Sequence, residues 1–149
     1  MKEKYLKEAQ AEYLKRFSAY AKVKVLEVAD ESVPEGAPAA IEEAVKSREA
    51  HRLIKQIHPG DYVVALDREG GQMTSEELAG FISDLGLSGK SQITFIIGGT
   101  LGLSGSILQQ SHRRLSFSKM TFPHQLMRVI LLEQIFRAFK IARGEPYHR

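Results

Sequence analysis

Apolar positions near the start of the chain recur at helical spacing. Leu6, Ala9, Tyr13, Leu14 and Phe17 share one face, with Lys and Glu opposite, which predicts an amphipathic helix over residues 3–20. Val23, Val25 and Val28 then alternate with other residues, the pattern of a strand. Residues 30–38 contain two Pro and a Gly and read as a loop. Helical spacing returns over 39–57 through Ile41, Ala44, Val45, Ile54 and Ile57, until Pro59-Gly60 breaks it. The β-branched run at 61–67 predicts a buried strand, and residues 68–72 a glycine-containing turn. Thr74 or Ser75 followed by Glu76-Glu77 has the form of a helix start, with acids in the first turn; that helix is expected to reach Leu87. Residues 92–97 predict a second buried strand, 106–112 a short helix and 114–118 a last short strand.

The final helix is the plainest element. Pro123 opens it and Gly144 lies just past its end. Leu126, Met127, Val129, Ile130, Leu131, Leu132, Ile135, Phe136, Phe139 and Ile141 cover more of its circumference than a surface helix needs. A domain this small has little with which to cover such a helix on all sides, so a homodimer interface is expected. Helices alternating with buried strands imply an α/β fold with a mainly parallel sheet. A length of 149 residues fits one domain, 1–149.

Composition adds exclusions. With no Cys, disulfides, thiolate metal sites and a cysteine nucleophile are ruled out. The His residues lack metal-ligand spacing, so no metal is expected. No apolar run is long enough to span a bilayer and the start does not read as a signal peptide, so the chain is read as soluble and cytoplasmic, without a membrane partner. Charge is uneven. Residues 111–149 hold eight Lys/Arg against two Asp/Glu, out of totals of 21 and 18, which leaves 13 against 16 for the first 110 residues. A basic end on a mildly acidic body favours a polyanionic partner, although solubility alone would also explain it.

Three strand ends collect the candidate chemistry. In open α/β sheets, ligands sit at the carboxyl ends of strands. Those ends are Leu66-Asp67, Gly98-Gly99 and residues 117–122. Gly98-Gly99-Thr100-Leu101-Gly102-Leu103 fits neither a dinucleotide fingerprint nor a phosphate-binding loop, and by itself reads as a tight turn. Ser116-Phe117-Ser118-Lys119-Met120-Thr121-Phe122-Pro123-His124 crowds hydroxyls, a Lys, a Met and two Phe together without periodicity. It reads either as an irregular loop whose backbone recognises a base edge, or as an ordinary helix entry. The Tyr147-His148-Arg149 ending is either a frayed end or a tail that stacks on and neutralises RNA.

These residues carry a resemblance. The segment 97–103, the run from Leu115 to Arg128, Glu133-Gln134-Ile135-Phe136-Arg137-Ala138-Phe139-Lys140 and the ending Arg143-Gly144-Glu145-Pro146-Tyr147-His148 resemble the RlmH family, the SPOUT-class 23S rRNA (pseudouridine-N3) methyltransferases. The resemblance extends to the first helix and covers nearly the whole chain. It implies a SPOUT-type α/β fold with a C-terminal trefoil knot, a homodimer packed through the final helix, and S-adenosyl-L-methionine held by Leu66, Gly98, Phe117, Ser118, Lys119, Met120, Thr121 and Phe122. It further implies methylation of N3 of a pseudouridine in the helix 69 loop of 23S rRNA, on the assembled ribosome. Members of the family usually begin with an apolar strand ending in Gly-Lys; here it is missing, which is expected to reflect either a late start or a truncation.

The implied reaction is an in-line displacement in which N3 attacks the methyl on the cofactor sulfonium. A base, or a group that stabilises the anion, should help. The candidates are His124, Arg128, Tyr147 and His148. Arg113, Arg114, Arg137, Lys140, Arg143 and Arg149 are the candidate phosphate contacts. Two rival readings stand beside this one: a non-enzymatic RNA-binding α/β module, and a nucleotide- or flavin-binding α/β protein.

Overall fold

The computed structural model describes residues 3–26, 33, 35–90, 92–98 and 102–147. The elements in chain order are α1 (Lys4–Arg16) with a 3-10 turn after it (Phe17–Ala19), α2 (Ala39–Ile54), β1 (Tyr62–Gln72), α3 (Ser75–Leu87), β2 (Ile93–Ile96), α4 (Gly105–Gln110), β3 (Arg113–Ser116) and α5 (His124–Ala142). They fall into two compact units. One is helical and comprises residues 1–25, 73–89 and 121–149; the other carries the sheet and comprises 26–72 and 90–120.

The sheet unit has three strands in the order β2-β1-β3, and both pairings are parallel. Val63, Val64 and Ala65 are buried in succession, so both faces of the central strand are covered. That is why 61–67 reads as a continuous apolar run rather than an alternating one. Ala50 of α2 and Ile107 of α4 pack with Val63 and Ile96, flanked by Leu53, Ile54, Ile57 and Leu103. At the start of β1 the buried Asp61 carboxylate accepts hydrogen bonds from the His58 amide at 3.0 Å and the Thr94 hydroxyl at 3.1 Å. One side chain thereby ties the turn after α2 to β2.

In the helical unit, α5 packs on α1 and α3. Phe17, Leu132 and Phe136 are its buried centre, surrounded by Tyr13, Leu14, Tyr20, Val23, Ile135, Phe139 and Tyr147. The rings meet mostly edge to face, as Phe17 and Phe136 do at 5.8 Å between centroids. α3 opens with a capping box: the Thr74 hydroxyl accepts from the Glu77 amide at 3.0 Å, and the Glu77 carboxylate accepts from the Thr74 amide at 2.9 Å. Gly144, with φ +67°, follows α5 in the left-handed conformation that ends helices.

Two expectations are corrected. Residues 21–26 form no strand, although their side chains do alternate between half-buried and exposed. Alternating burial requires only an extended chain, whereas a strand also requires a ladder partner, and among the described residues the sheet β2-β1-β3 does not take up this segment. Val28 lies outside the described residues. The second correction concerns residues 68–72, which belong to β1 rather than to a turn. Leu66 and Gly71 both face Leu115 in register, so the strand is shifted between them and then pairs again. Gly70 permits this: a Cβ there would lie 2.7 Å from the Arg114 carbonyl carbon. The glycine serves a close approach of two backbones, not a reversal of the chain.

Candidate functional site

Because all three strands are parallel, their carboxyl ends lie along one edge of the sheet. Leu66 stands opposite Leu115, two residues before Phe117. Ala65 stands opposite Ile96, two residues before Gly98. Leu66 is therefore level with Gly98 and Phe117, which lie just past the ends of β2 and β3 on either side of β1; Leu66 itself is not the strand end expected, because β1 runs on to Gln72 after its register shift. Thr121 and Phe122 follow Met120 in the chain and fall within the helical unit.

The loop after β3 owes its shape to its hydroxyls. The buried Ser116 Oγ donates to the Ser118 carbonyl at 3.1 Å, and Ser118 Oγ accepts from the Met120 amide at 3.0 Å. These local bonds compete with the ladder and end the strand at Ser116. Phe117 and Ser118 are left half-buried, while Lys119 and Met120 are exposed. Met120 is 72% exposed, an unusual setting for a long apolar side chain and one that a ligand would improve. Past the end of β2, a Cβ on Gly98 would lie 2.7 Å from the Gly102 carbonyl carbon and 2.9 Å from the Leu103 amide nitrogen. Only glycine allows so close an approach of residue 98 to the backbone of residues 102 and 103. Gly99, Thr100 and Leu101 lie outside the described residues.

The other candidates are distributed differently. His124 opens α5 and Arg128 follows one turn later on the same face; the Arg128 guanidinium donates to the Gln10 amide oxygen of α1 at 3.3 Å. Tyr147 packs edge to face on Phe136 at 5.3 Å and its hydroxyl reaches the Glu133 carboxylate at 3.5 Å. Arg137 lies over the Tyr147 ring at 4.9 Å, and its Nε donates to the same carboxylate at 2.9 Å. Lys140 binds Glu145 at 2.8 Å, Tyr20 donates to the same carboxylate at 2.9 Å, and Arg143 covers the Tyr20 ring at 4.4 Å. His148 and Arg149 lie outside the described residues. Arg113 and Arg114, on β3, are both exposed; Arg114 approaches Asp67 at 3.9 Å.

The electrostatics follow these pairs. The hydrogen bond from Arg137 to Glu133 holds the guanidinium pKa above its ordinary value. Burial, followed by the neighbouring Tyr147, raises the Tyr13 phenol. Lys140 is raised by its bond to Glu145 and then by Tyr20; Glu145 is lowered by its bonds to Lys140 and then Tyr20. Sequence reasoning missed Tyr13, Tyr20, Glu133 and Glu145. The spacing of Glu133 and Arg137, one helical turn apart, was a usable signal. Nothing links Tyr20 to Glu145 across 125 positions. Among the described residues no group of three or more His, Cys, Asp or Glu is placed to hold a metal ion.

A family model described as "Predicted SPOUT methyltransferase" matches residues 1–148. The chain belongs to the SPOUT methyltransferase family. It is 59% identical over 148 residues to the "Ribosomal RNA large subunit methyltransferase H" of Pelotomaculum thermopropionicum, covering 99% of this chain and 92% of that one. It is 56% identical over 149 residues to the protein of the same name from Carboxydothermus hydrogenoformans, covering 100% and 94%. The Bacillus pumilus protein of that name is 52% identical over 149 residues, covering 100% and 94%. The α/β class and the parallel sheet expected from the alternation of elements are those of this SPOUT methyltransferase, and no described helix is long and apolar enough to cross a membrane.

Proposed function

We propose that this SPOUT methyltransferase acts on large-subunit ribosomal RNA, with S-adenosyl-L-methionine as methyl donor and N3 of a pseudouridine in the helix 69 loop as acceptor, on the assembled ribosome. What carries the reading is the sheet edge where Gly98 and Phe117 lie level with Leu66, in a chain more than half identical over its whole length to proteins named for rRNA methylation.

The residues at that edge fit the donor. The half-buried Phe117 and the exposed Met120 offer apolar surface for a flat base. Hydroxyl bonds hold the backbone of residues 116–120 in a fixed irregular course, and Gly98 lies close against the backbone of Gly102 and Leu103. Leu66, Gly98, Phe117, Ser118, Lys119, Met120, Thr121 and Phe122 would hold the cofactor, which supplies an electrophilic methyl group on sulfur. The chain supplies position and exclusion of water. A fixed loop costs little further ordering when a ligand arrives, which favours tight binding. His124 and Arg128, on one face of the first turns of α5, are the proposed groups that accept the N3 proton or stabilise the anion. Tyr147 and His148 are the proposed tail contribution. Arg113, Arg114, Arg137, Lys140, Arg143 and Arg149 are the proposed phosphate contacts. The target base has to leave its stack to reach the edge.

Pairing of two copies through α5 belongs to the same proposal, supported by the half-buried state of Leu126, Met127, Val129 and Ile130 in the single chain. So do a C-terminal trefoil knot, one domain over 1–149 and work in the cytoplasm. The test is methyl transfer from labelled S-adenosyl-L-methionine to ribosomes lacking the modification, with mass spectrometry of the rRNA. One added methyl on the helix 69 pseudouridine is expected. Binding of RNA without any transfer would instead support a non-enzymatic RNA-binding module.

A further inference from the structure

The amino ends of the strands form a second edge with its own character. Three segments meet there. The turn after α2 carries Lys55 and His58 and is closed on Asp61. The Tyr62 amide donates to the Gln92 carbonyl at 3.0 Å, which fixes the entry to β2 and puts Lys90 within about 7 Å along the chain. His112 sits beside β1: its amide donates to the Val63 carbonyl at 2.8 Å, and its Nδ1 accepts from the Val63 amide at 2.9 Å. The His112 ring is exposed and stacks on Tyr62 at 4.9 Å and 22°. Arg113 follows, at the far end of β3 from Phe117.

Behind this edge, α2 presents Arg48, His51 and Lys55 at spacings of three and four, and all three are exposed. Cations near a helix C-terminus also complement its dipole, but that is about half a charge, felt within the last turn. Arg48, Arg52, Lys55, Lys90 and Arg113 bring five formal charges from three segments, more than the dipole accounts for.

We infer that this amino-terminal edge is a second RNA contact, where Lys55, Lys90 and the α2 stripe meet phosphates and the stacked Tyr62–His112 pair offers a ring face to an unpaired base. The inference rests on the reading of the chain as an rRNA methyltransferase and adds a site that, apart from Arg113, the reading does not use. The dimensions agree: β3 is four residues long, so the two edges are on the order of 13 Å apart, a distance that a few nucleotides of an unpaired strand span. An RNA loop that delivers a base to the carboxyl edge therefore has its flanking backbone within reach of the amino edge. Phosphate contacts carry no sequence information but set the register of the strand.

The test compares the full chain with a K55Q/K90Q variant, which changes two exposed side chains outside the core and outside the proposed cofactor site. The probe is a large-subunit rRNA fragment holding the helix 69 loop and its neighbouring helices, followed by anisotropy across a salt series. The variant is expected to lose about tenfold or more in affinity, with a salt slope shallower by about one to two. KM for the RNA rises while kcat and donor affinity hold. A K22Q/K24Q variant, equally exposed but in the helical unit, keeps the wild-type slope. Unchanged affinity in K55Q/K90Q, or an equal loss in both variants, overturns the inference. If the wild-type chain fails to methylate, the proposed function fails instead, and the binding comparison still decides this one.

Discussion

The carboxyl edge of the sheet and the end of the chain were both expected to serve one reaction, yet they are built in opposite ways. At the sheet edge, backbone does the positioning: glycine packs against main chain at Gly98, and serine hydroxyls fold residues 116–120, while Lys119 and Met120 stay exposed. At the chain end, side chains hold one another. Glu133 binds Arg137, and Glu145 binds both Lys140 and Tyr20. A site built from backbone is pre-shaped and tolerates little change of shape. A cluster built from side-chain pairs can exchange partners, because each cation committed to a carboxylate can be drawn away by a phosphate. The proposed cofactor contacts belong to the first kind, and the proposed RNA contacts Arg137, Lys140 and Arg143 to the second.

The comparison is broken most directly at Gly98. In Gly98→Ala the new methyl meets the Gly102 backbone at 2.7 Å, so the loop must move. Overpacking of this kind costs about 1–3 kcal/mol, so donor affinity should fall about tenfold or more, measured by calorimetry with S-adenosyl-L-methionine. Gly70→Ala meets the Arg114 backbone at the same distance, but in the ladder. It should lower the melting temperature. Equal donor affinity for Gly98→Ala and wild type would remove the loop from the site.

Removal of residues 147–149 acts on the other region. Methyl transfer should fall at least tenfold while donor binding changes little, read by single-turnover kinetics beside calorimetry. Transfer at the wild-type rate would show that the tail only packs. Glu133→Gln should cost less, about 1–2 kcal/mol by chemical denaturation, because it weakens the hold on both Arg137 and Tyr147 in a half-buried setting.

The same contrast explains what the chain let a reader see. The helices, β1 and β2 were legible because burial writes periodicity into the sequence. So were the ends of β2 and β3, since Gly98 and Phe117 each close a buried run, whereas Leu66-Asp67 does not end β1, which runs on to Gln72. Residues 68–72 were misread because glycine marks both turns and close approaches, and only the partner strand separates the two. The alternation from Val23 to Val25 announced an extended segment but not its lack of a partner. The Tyr20–Glu145 pair had no local signature at all, because side-chain partners this far apart are chosen by the fold.

The smallest expected effect concerns that last pair. Glu145 is held below its ordinary 4.5 by the bonds it accepts from Lys140 and Tyr20. A lowered carboxylate contributes stability above its ordinary pKa and loses it as pH falls through the lowered value. Lys140 is held above its ordinary 10.5 by the same carboxylate and then Tyr20, so its contribution is present below 10.5 and is lost as pH rises through the raised value. The docked segment should therefore be held fully between about pH 5 and 10 and loosen on either side. Both groups lie at the surface and are only part-buried, so global stability should register the change weakly. The observable is local: the Glu145 amide, bonded to the Lys140 carbonyl at 2.9 Å, should lose protection from hydrogen exchange as pH falls through the lowered pKa, after correction for intrinsic rates. In Glu145→Gln the acid response should vanish, because the side chain no longer titrates. If the Gln variant keeps the same acid response, the carboxylate is not what holds the segment, and the chain end is fixed by its rings alone.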